Sequence, residues 1–196
     1  MSGGFNVQGA VALVTGANRG LGAAWVRGLL DAGAARVYAA ARTPAQAEDA
    51  RVVPVRLDLK DAASITAAAE LARDVTLLVN NAGVAFGARL LGADSIDAAR
   101  EEMEVNYFGT LSVTRAFAPV LAANGGGAVV NVLSILSRVN LPITGSYSAS
   151  KAAALSMTQG IRAELAAQGT HVLAVMPGFV DTDMAANVPG PKIPPA

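Results

Sequence analysis

The chain has 196 residues, with Gly 20, Pro 9 and Cys 0, and its 15 Lys+Arg balance 15 Asp+Glu. A chain of this length exposes roughly 8,600 Å² when folded and buries about 70% of its unfolded surface, so the reading is a single domain over 1–196. The balance of charge argues against nucleic-acid binding through bulk basicity, the lack of cysteine excludes disulfides and thiolate sites, and no apolar run approaches the ~20 residues of a membrane span. Met1 to Gln8 lack a signal-peptide pattern, so a cytoplasmic location is expected.

In chain order, the first strand is expected at Ala10–Thr15 and the first helix at Gly20–Asp31, followed by strands at Arg36–Ala41 and Val52–Val55. A helix at Asp61–Arg73 leads to a strand at Thr76–Asn80, and a long helix at Ser95–Ala123 leads to a strand at Ala128–Leu133. Ser146–Gln168 reads as helix and His171–Val175 as the last strand, while Val188–Ala196, with four prolines, reads as no element. Gly125, Gly126 and Gly127 break the long helix, and Gly33 and Gly169 suit helix ends. The strands lack polar alternation, as parallel strands covered on both faces do. Strand and helix alternating in this way imply an α/β fold, a doubly wound parallel sheet with ligands at the carboxyl ends of its strands.

Directly after the first strand stands Thr15-Gly16-Ala17-Asn18-Arg19-Gly20-Leu21-Gly22, opening into a helix. Its glycines permit a tight turn and close backbone approach, and the helix N-terminus offers free N–H groups to a pyrophosphate. A T-G-x-x-x-G-x-G match arises only about 0.01 times by chance in a chain of this composition. The second strand ends in Ala41-Arg42. Binders of NAD carry an acid there for the ribose 2′-OH; Ala41 removes that repulsion, and Arg42, with Arg19 in the turn, can meet a 2′-phosphate, so NADP(H) is the expected cofactor.

Tyr147 and Lys151 sit at i and i+4 on one helix face. A phenol working near neutral pH needs its pKa lowered by about three units, roughly 4 kcal/mol, which a neighbouring ammonium and a nicotinamide charge can supply.

With these residues the sequence resembles the short-chain dehydrogenase/reductase (SDR) family, whose cofactor turn has this spacing. The likeness extends from about Val11 to Thr182. Asn80-Asn81-Ala82-Gly83 is similar to the family's NNAG motif, Asp58, beside Leu59, to its adenine-binding aspartate, and Pro177-Gly178-Phe179-Val180-Asp181-Thr182 to its PG motif. Asn106, Ser134, Tyr147 and Lys151 match its Asn-Ser-Tyr-Lys tetrad.

The resemblance implies a Rossmann fold of three layers, strand order 3-2-1-4-5-6, and hydride transfer between NADP(H) and a carbonyl or alcohol carbon. In that scheme Tyr147 is general acid/base, Ser134 holds the substrate oxygen, Lys151 lowers the tyrosine pKa and grips the nicotinamide ribose, and Asn106 holds a relay water. Asn81, Ala82 and Gly83 flank the adenosine, while Val180 and Thr182 hold the carboxamide. The competing readings are a catalytically silent NADP-binding regulator and a lyase or isomerase on the same scaffold.

Val84, Leu136, Leu141, Phe179 and Met184 are placed on the substrate side and favour a small apolar carbonyl or alcohol. No metal set is recognised: His171 and Trp25 read as structural, and Arg89, Arg100, Arg115, Glu101, Glu102 and Glu104 as solvated helix faces. The resemblance implies a homodimer or homotetramer through the two long helices. It also implies that Asp183–Ala196 stand as the remnant of a substrate lid or as a disordered tail, with a seventh strand missing and a sheet edge uncovered.

Overall fold

The computed structural model describes residues 4–186 and 190–195. Strands β1 (Val11–Thr15), β2 (Arg36–Ala41), β3 (Val52–Arg56), β4 (Leu77–Asn80), β5 (Gly127–Val132) and β6 (Thr170–Val175) form one sheet. All pair in parallel, in the order β3-β2-β1-β4-β5-β6. The order reverses between β1 and β4, which opens a crevice at their carboxyl ends.

One face packs Leu13, Val55, Leu78 and Val129 against α2 (Ala62–Leu71), α4 (Thr110–Ala123) and α5 (Gly145–Leu165). On the other face Ala12, Val14, Val79 and Val130 meet Trp25, Val26 and Leu30 of α1 (Gly20–Asp31), together with Phe5 and Val7. Among the described residues nothing comparable covers β6 on that side. Its residues alternate between buried and exposed, with Leu173 47% exposed and His171 open to solvent, so the expectation of strands covered on both faces fails at this edge. The molecule exposes 10135 Å², more than the size scaling implies.

The stretch read as one helix over Ser95–Ala123 divides into α3 (Asp97–Met103), a π-helical segment (Glu104–Gly109) and α4. The π turn accommodates one extra residue per turn and carries Asn106 inward, where it is 1% exposed; such bulges recur at functional sites. Asp183–Ala185 forms a 3₁₀ turn, and Ile193 bridges to Val180 through Ile193 N–H to the Phe179 carbonyl (3.0 Å) and Asp181 N–H to the Ile193 carbonyl (2.8 Å). Residues 187–189 and 196 lie outside the described part.

A buried polar ladder locks the carboxyl end of the sheet to its helices. Asn80 Nδ2 donates to Thr114 Oγ1 of α4 (3.0 Å) and to Asn131 Oδ1 (2.9 Å), and Asn131 Nδ2 donates to Thr158 Oγ1 of α5 (2.9 Å). Both threonines in turn donate to carbonyls four residues back, Thr110 and Ala154. In an apolar core each of these groups would be costly if unpaired, so the ladder admits one relative placement of four elements.

Candidate active site

The β1–α1 turn is fixed by its neighbours before any ligand is considered. Thr15 Oγ1 accepts the N–H groups of Asn81 and Ala82 (3.0 Å each), and Asn81 Nδ2 donates to the Thr15 carbonyl (2.9 Å), so the ends of β1 and β4 are stitched together. At Gly22 a Cβ would stand 2.0 Å from the Gly16 carbonyl oxygen and 2.7 Å from Asn81 Nδ2; only glycine lets the helix begin so close to the turn. Asn18 ties the turn to the loop after β2, donating to the Thr43 carbonyl (2.7 Å) and accepting from Ala45 N–H (3.2 Å). That loop carries Arg42, which is exposed, beside the buried Ala41.

Arg19 pairs with Asp183 (3.1 Å), and Thr182 lies against Gly20, so the segment after β6 closes over the glycine turn. Thr182 Oγ1 donates to the Val180 carbonyl (3.3 Å), and the Pro177 carbonyl accepts Ile135 N–H (2.9 Å). Gly178 is exposed and Leu21 half-buried. Asp58 and Leu59 lie half-buried after β3; Asp58 Oδ1 accepts Lys60 N–H (3.0 Å), and Leu59 packs where a side chain on Gly109 would stand.

The other predicted residues meet at the carboxyl end of β5. Ser134, 7% exposed, caps a 3₁₀ turn over Ile135–Ser137 by accepting Leu136 N–H (3.1 Å), which fixes its hydroxyl. The Tyr147 phenol is raised from 10.0 to about 12, chiefly because burial disfavours phenolate; the Ser134 hydroxyl works in the opposite direction, and the Glu102 carboxylate adds to the rise. Lys151 is lowered to about 8 by burial alone. Its Nζ donates to the Val132 carbonyl (3.0 Å) and lies 5.8 Å from the Tyr147 ring centroid. In the cofactor-free protein desolvation outweighs any lowering of the tyrosine pKa by lysine, and it is the largest cause of the shift in both groups.

Asn106 is held by three hydrogen bonds. Its Nδ2 donates to the Val84 carbonyl and to Ser150 Oγ, and its Oδ1 accepts Val84 N–H, all at 2.9 Å. Both amide protons are engaged, so only a second lone pair of Oδ1 remains for a water. A Cβ on Gly83 would stand 2.9 Å from that Oδ1 and 3.4 Å from Lys151 Nζ; glycine keeps open the gap between them.

Two readings of side chains are corrected. Leu136 is 5% exposed and takes no part in the substrate wall, whereas Leu141 (38%) and Met184 (52%) do remain accessible beside half-buried Val84 and Phe179. Glu102, taken as part of a solvated face with Glu101 and Glu104, is fully buried. The signal was present in the spacing: 102, 106, 110, 113 and 117 form one helical stripe, and all five are buried. The buried ladder through Thr114, Asn131 and Thr158 also passed unnoticed, since polar residues inside apolar runs give no pattern of their own.

The short chain dehydrogenase family profile matches residues 10–192. The chain is 39% identical over 200 residues to a galactitol 2-dehydrogenase (L-tagatose-forming) of Cereibacter sphaeroides, covering 94% of this chain and 76% of that protein. It is 30% identical to dehydrogenase/reductase SDR family member 7B of Danio rerio, covering 93% of this chain and 64% of that one. Among solved structures, a short chain dehydrogenase from Burkholderia cenocepacia J2315 in complex with NADP superposes with a TM-score of 0.92 at 53% identity, over 97% of this chain and 80% of that chain. With the strand order, the glycine turn and these matches in agreement, the chain belongs to the short chain dehydrogenases.

Proposed function

We propose that the protein is an NADP(H)-dependent oxidoreductase that interconverts a carbonyl and an alcohol, with residues 1–196 acting as one domain that carries both cofactor and catalytic groups. The observation that carries this reading is the convergence of Ser134, Tyr147 and Lys151 at the carboxyl end of the sheet, where the glycine turn opens α1. The α1 N-terminus, which no side chain caps, fits a pyrophosphate, and Ala41 with the exposed Arg42 fits a 2′-phosphate better than a bare ribose hydroxyl. When bound, the cofactor supplies the hydride and, in its oxidised form, a positive ring charge.

This chain's residues do the rest. Tyr147, protonated throughout the neutral range, donates its proton to the oxygen of the carbonyl being reduced, and the Ser134 hydroxyl, fixed by its cap bond, meets the same oxygen as charge develops there. Lys151, buried and cationic at neutral pH, stands where ribose hydroxyls can replace or join the Val132 carbonyl as its acceptors. Asn106 holds the segment after β4 and keeps an Oδ1 lone pair facing Lys151 across the Gly83 gap.

Val84, Leu141, Phe179 and Met184 favour a small substrate with an apolar body. The exposed Ile96 and Phe108, on a groove of about 550 Å³ along α3 and the π segment, support a homodimer or homotetramer. No described helix is long and apolar enough to cross a membrane, and a cytoplasmic location is part of the proposal. The test is NADPH consumption across a panel of aldehydes and ketones with wild type and Tyr147→Phe. Consumption that falls by about 10²-fold or more in the variant, with NADPH binding retained, supports the assignment; equal rates sink it.

A further inference from the structure

Glu102 is the one fully buried carboxyl among the described residues, and the mechanism above does not use it. It stands one turn ahead of Asn106, and the two side chains grip alternate residues of the same segment. Asn106 takes both the N–H and the carbonyl of Val84, while Glu102 Oε1 accepts Phe86 N–H at 2.8 Å. Side chains at i and i+4 face the same way, so α3 and the π segment clamp the substrate-side wall at two points. Its other oxygen, Oε2, is buried and has no hydrogen-bond partner in the protein.

Among the described residues no cation pairs with this carboxylate: the Lys60 ammonium binds both oxygens of Glu101 (2.8 and 2.9 Å), and the Lys151 ammonium donates to the Val132 carbonyl. Yet α3 packs directly on α5, which carries Tyr147, and the negative charge of Glu102 opposes phenolate there. A neutral amide would satisfy Phe86 N–H equally well. Nothing in the clamp itself requires a charge.

We propose that Glu102 is a positioning residue for the reaction: it fixes the Val84–Phe86 wall through Phe86 N–H, and it does so as a carboxylate enclosed against the helix that carries Tyr147. The proposal rests on Tyr147 being the proton donor. The groups facing Tyr147 are Ser134 from the end of β5, Lys151 on its own helix and Glu102 from α3. The remaining charges on the packed elements, Asp97, Arg100, Glu104 and Arg138, are exposed, and Glu101 is paired with Lys60.

Glu102→Gln keeps an acceptor for Phe86 N–H and removes only the charge. In the NADP⁺ complex, the phenolate absorbance of Tyr147, taken as the difference from Tyr147→Phe, is expected to titrate about one pH unit lower in Glu102→Gln than in wild type. For a responsive substrate, the pH limb of kcat is expected to move by the same amount, with KM little changed. Glu102→Ala, which also frees Phe86 N–H, is expected to raise KM. Coincident midpoints and limbs in wild type and Glu102→Gln would overturn the proposal. The absorbance needs no turnover, so a failure of the whole substrate panel overturns the proposed function while leaving the Glu102 comparison readable.

Discussion

Raising the pH from 7 to 9.5 isolates the burial of Lys151. The ammonium is lowered from 10.5 to about 8 by desolvation alone, so at pH 7 about nine-tenths of the free protein carries the charge and at pH 9.5 only about one-thirtieth. If the charged lysine grips the ribose hydroxyls, the proton must be restored on binding, and NADPH affinity should fall about thirtyfold over this range, about 2 kcal/mol. The arginines keep their charge across the window, so at fixed ionic strength they contribute no slope.

Fluorescence titration of NADPH at half-unit steps reads the effect, with Lys151→Met as the pH-independent control. A wild-type Kd that stays flat from pH 7 to 9.5, or a Lys151→Met variant with the same slope, would refute the argument. Stability changes in the opposite direction. Between about 8 and 10.5 the unfolded chain holds a proton that the folded chain has released, so stability rises with pH there. Relative to Lys151→Met, cofactor-free wild type should gain up to about 3 kcal/mol across that window in urea denaturation.

Gly22→Ala forces a methyl group onto the Gly16 carbonyl, since the 2.0 Å approach is to backbone that cannot swing away. NADPH binding should become undetectable by fluorescence, with a loss of about 1–3 kcal/mol in urea. Asn131→Leu removes the centre of the ladder, leaving Asn80 one bond poorer and stripping Thr158 Oγ1 of its donor; a loss of about 2–4 kcal/mol is expected, together with a lowered kcat as α5 shifts. Arg42→Ala should weaken NADPH by about tenfold or more while leaving NADH within about twofold, measured side by side by isothermal titration.

The sheet and the glycine turn were legible because their signals are local. A β-branched run, a glycine spacing and a helix start each depend on neighbours within a few residues, and β1, β2, α1 and the Gly16–Gly22 turn lie where those signals place them. Tyr147 and Lys151 were legible as an i, i+4 pair for the same reason. The environment of that pair was not.

That Tyr147 is raised follows first from desolvation by elements far away in sequence and then from the Glu102 carboxylate of α3, and the Lys151 ammonium meets the Val132 carbonyl, nineteen residues before it. The role of Asn106 as a water holder came from the family resemblance, which says nothing of its other contacts. Tertiary contacts spent both of its amide protons on Val84 and Ser150. The run Glu101-Glu102-Met103-Glu104 shows the division most plainly. Composition alone makes three acids look alike, whereas the packing of α3 on α5 leaves Glu101 paired with Lys60, Glu104 in water and Glu102 enclosed. By itself the sequence determined the elements, the glycine turn and which side chains could react, since these follow from local geometry and residue chemistry. Only the tertiary structure decided which of those side chains are dehydrated and what each one touches, because burial and charge interactions are set by segments that meet through space.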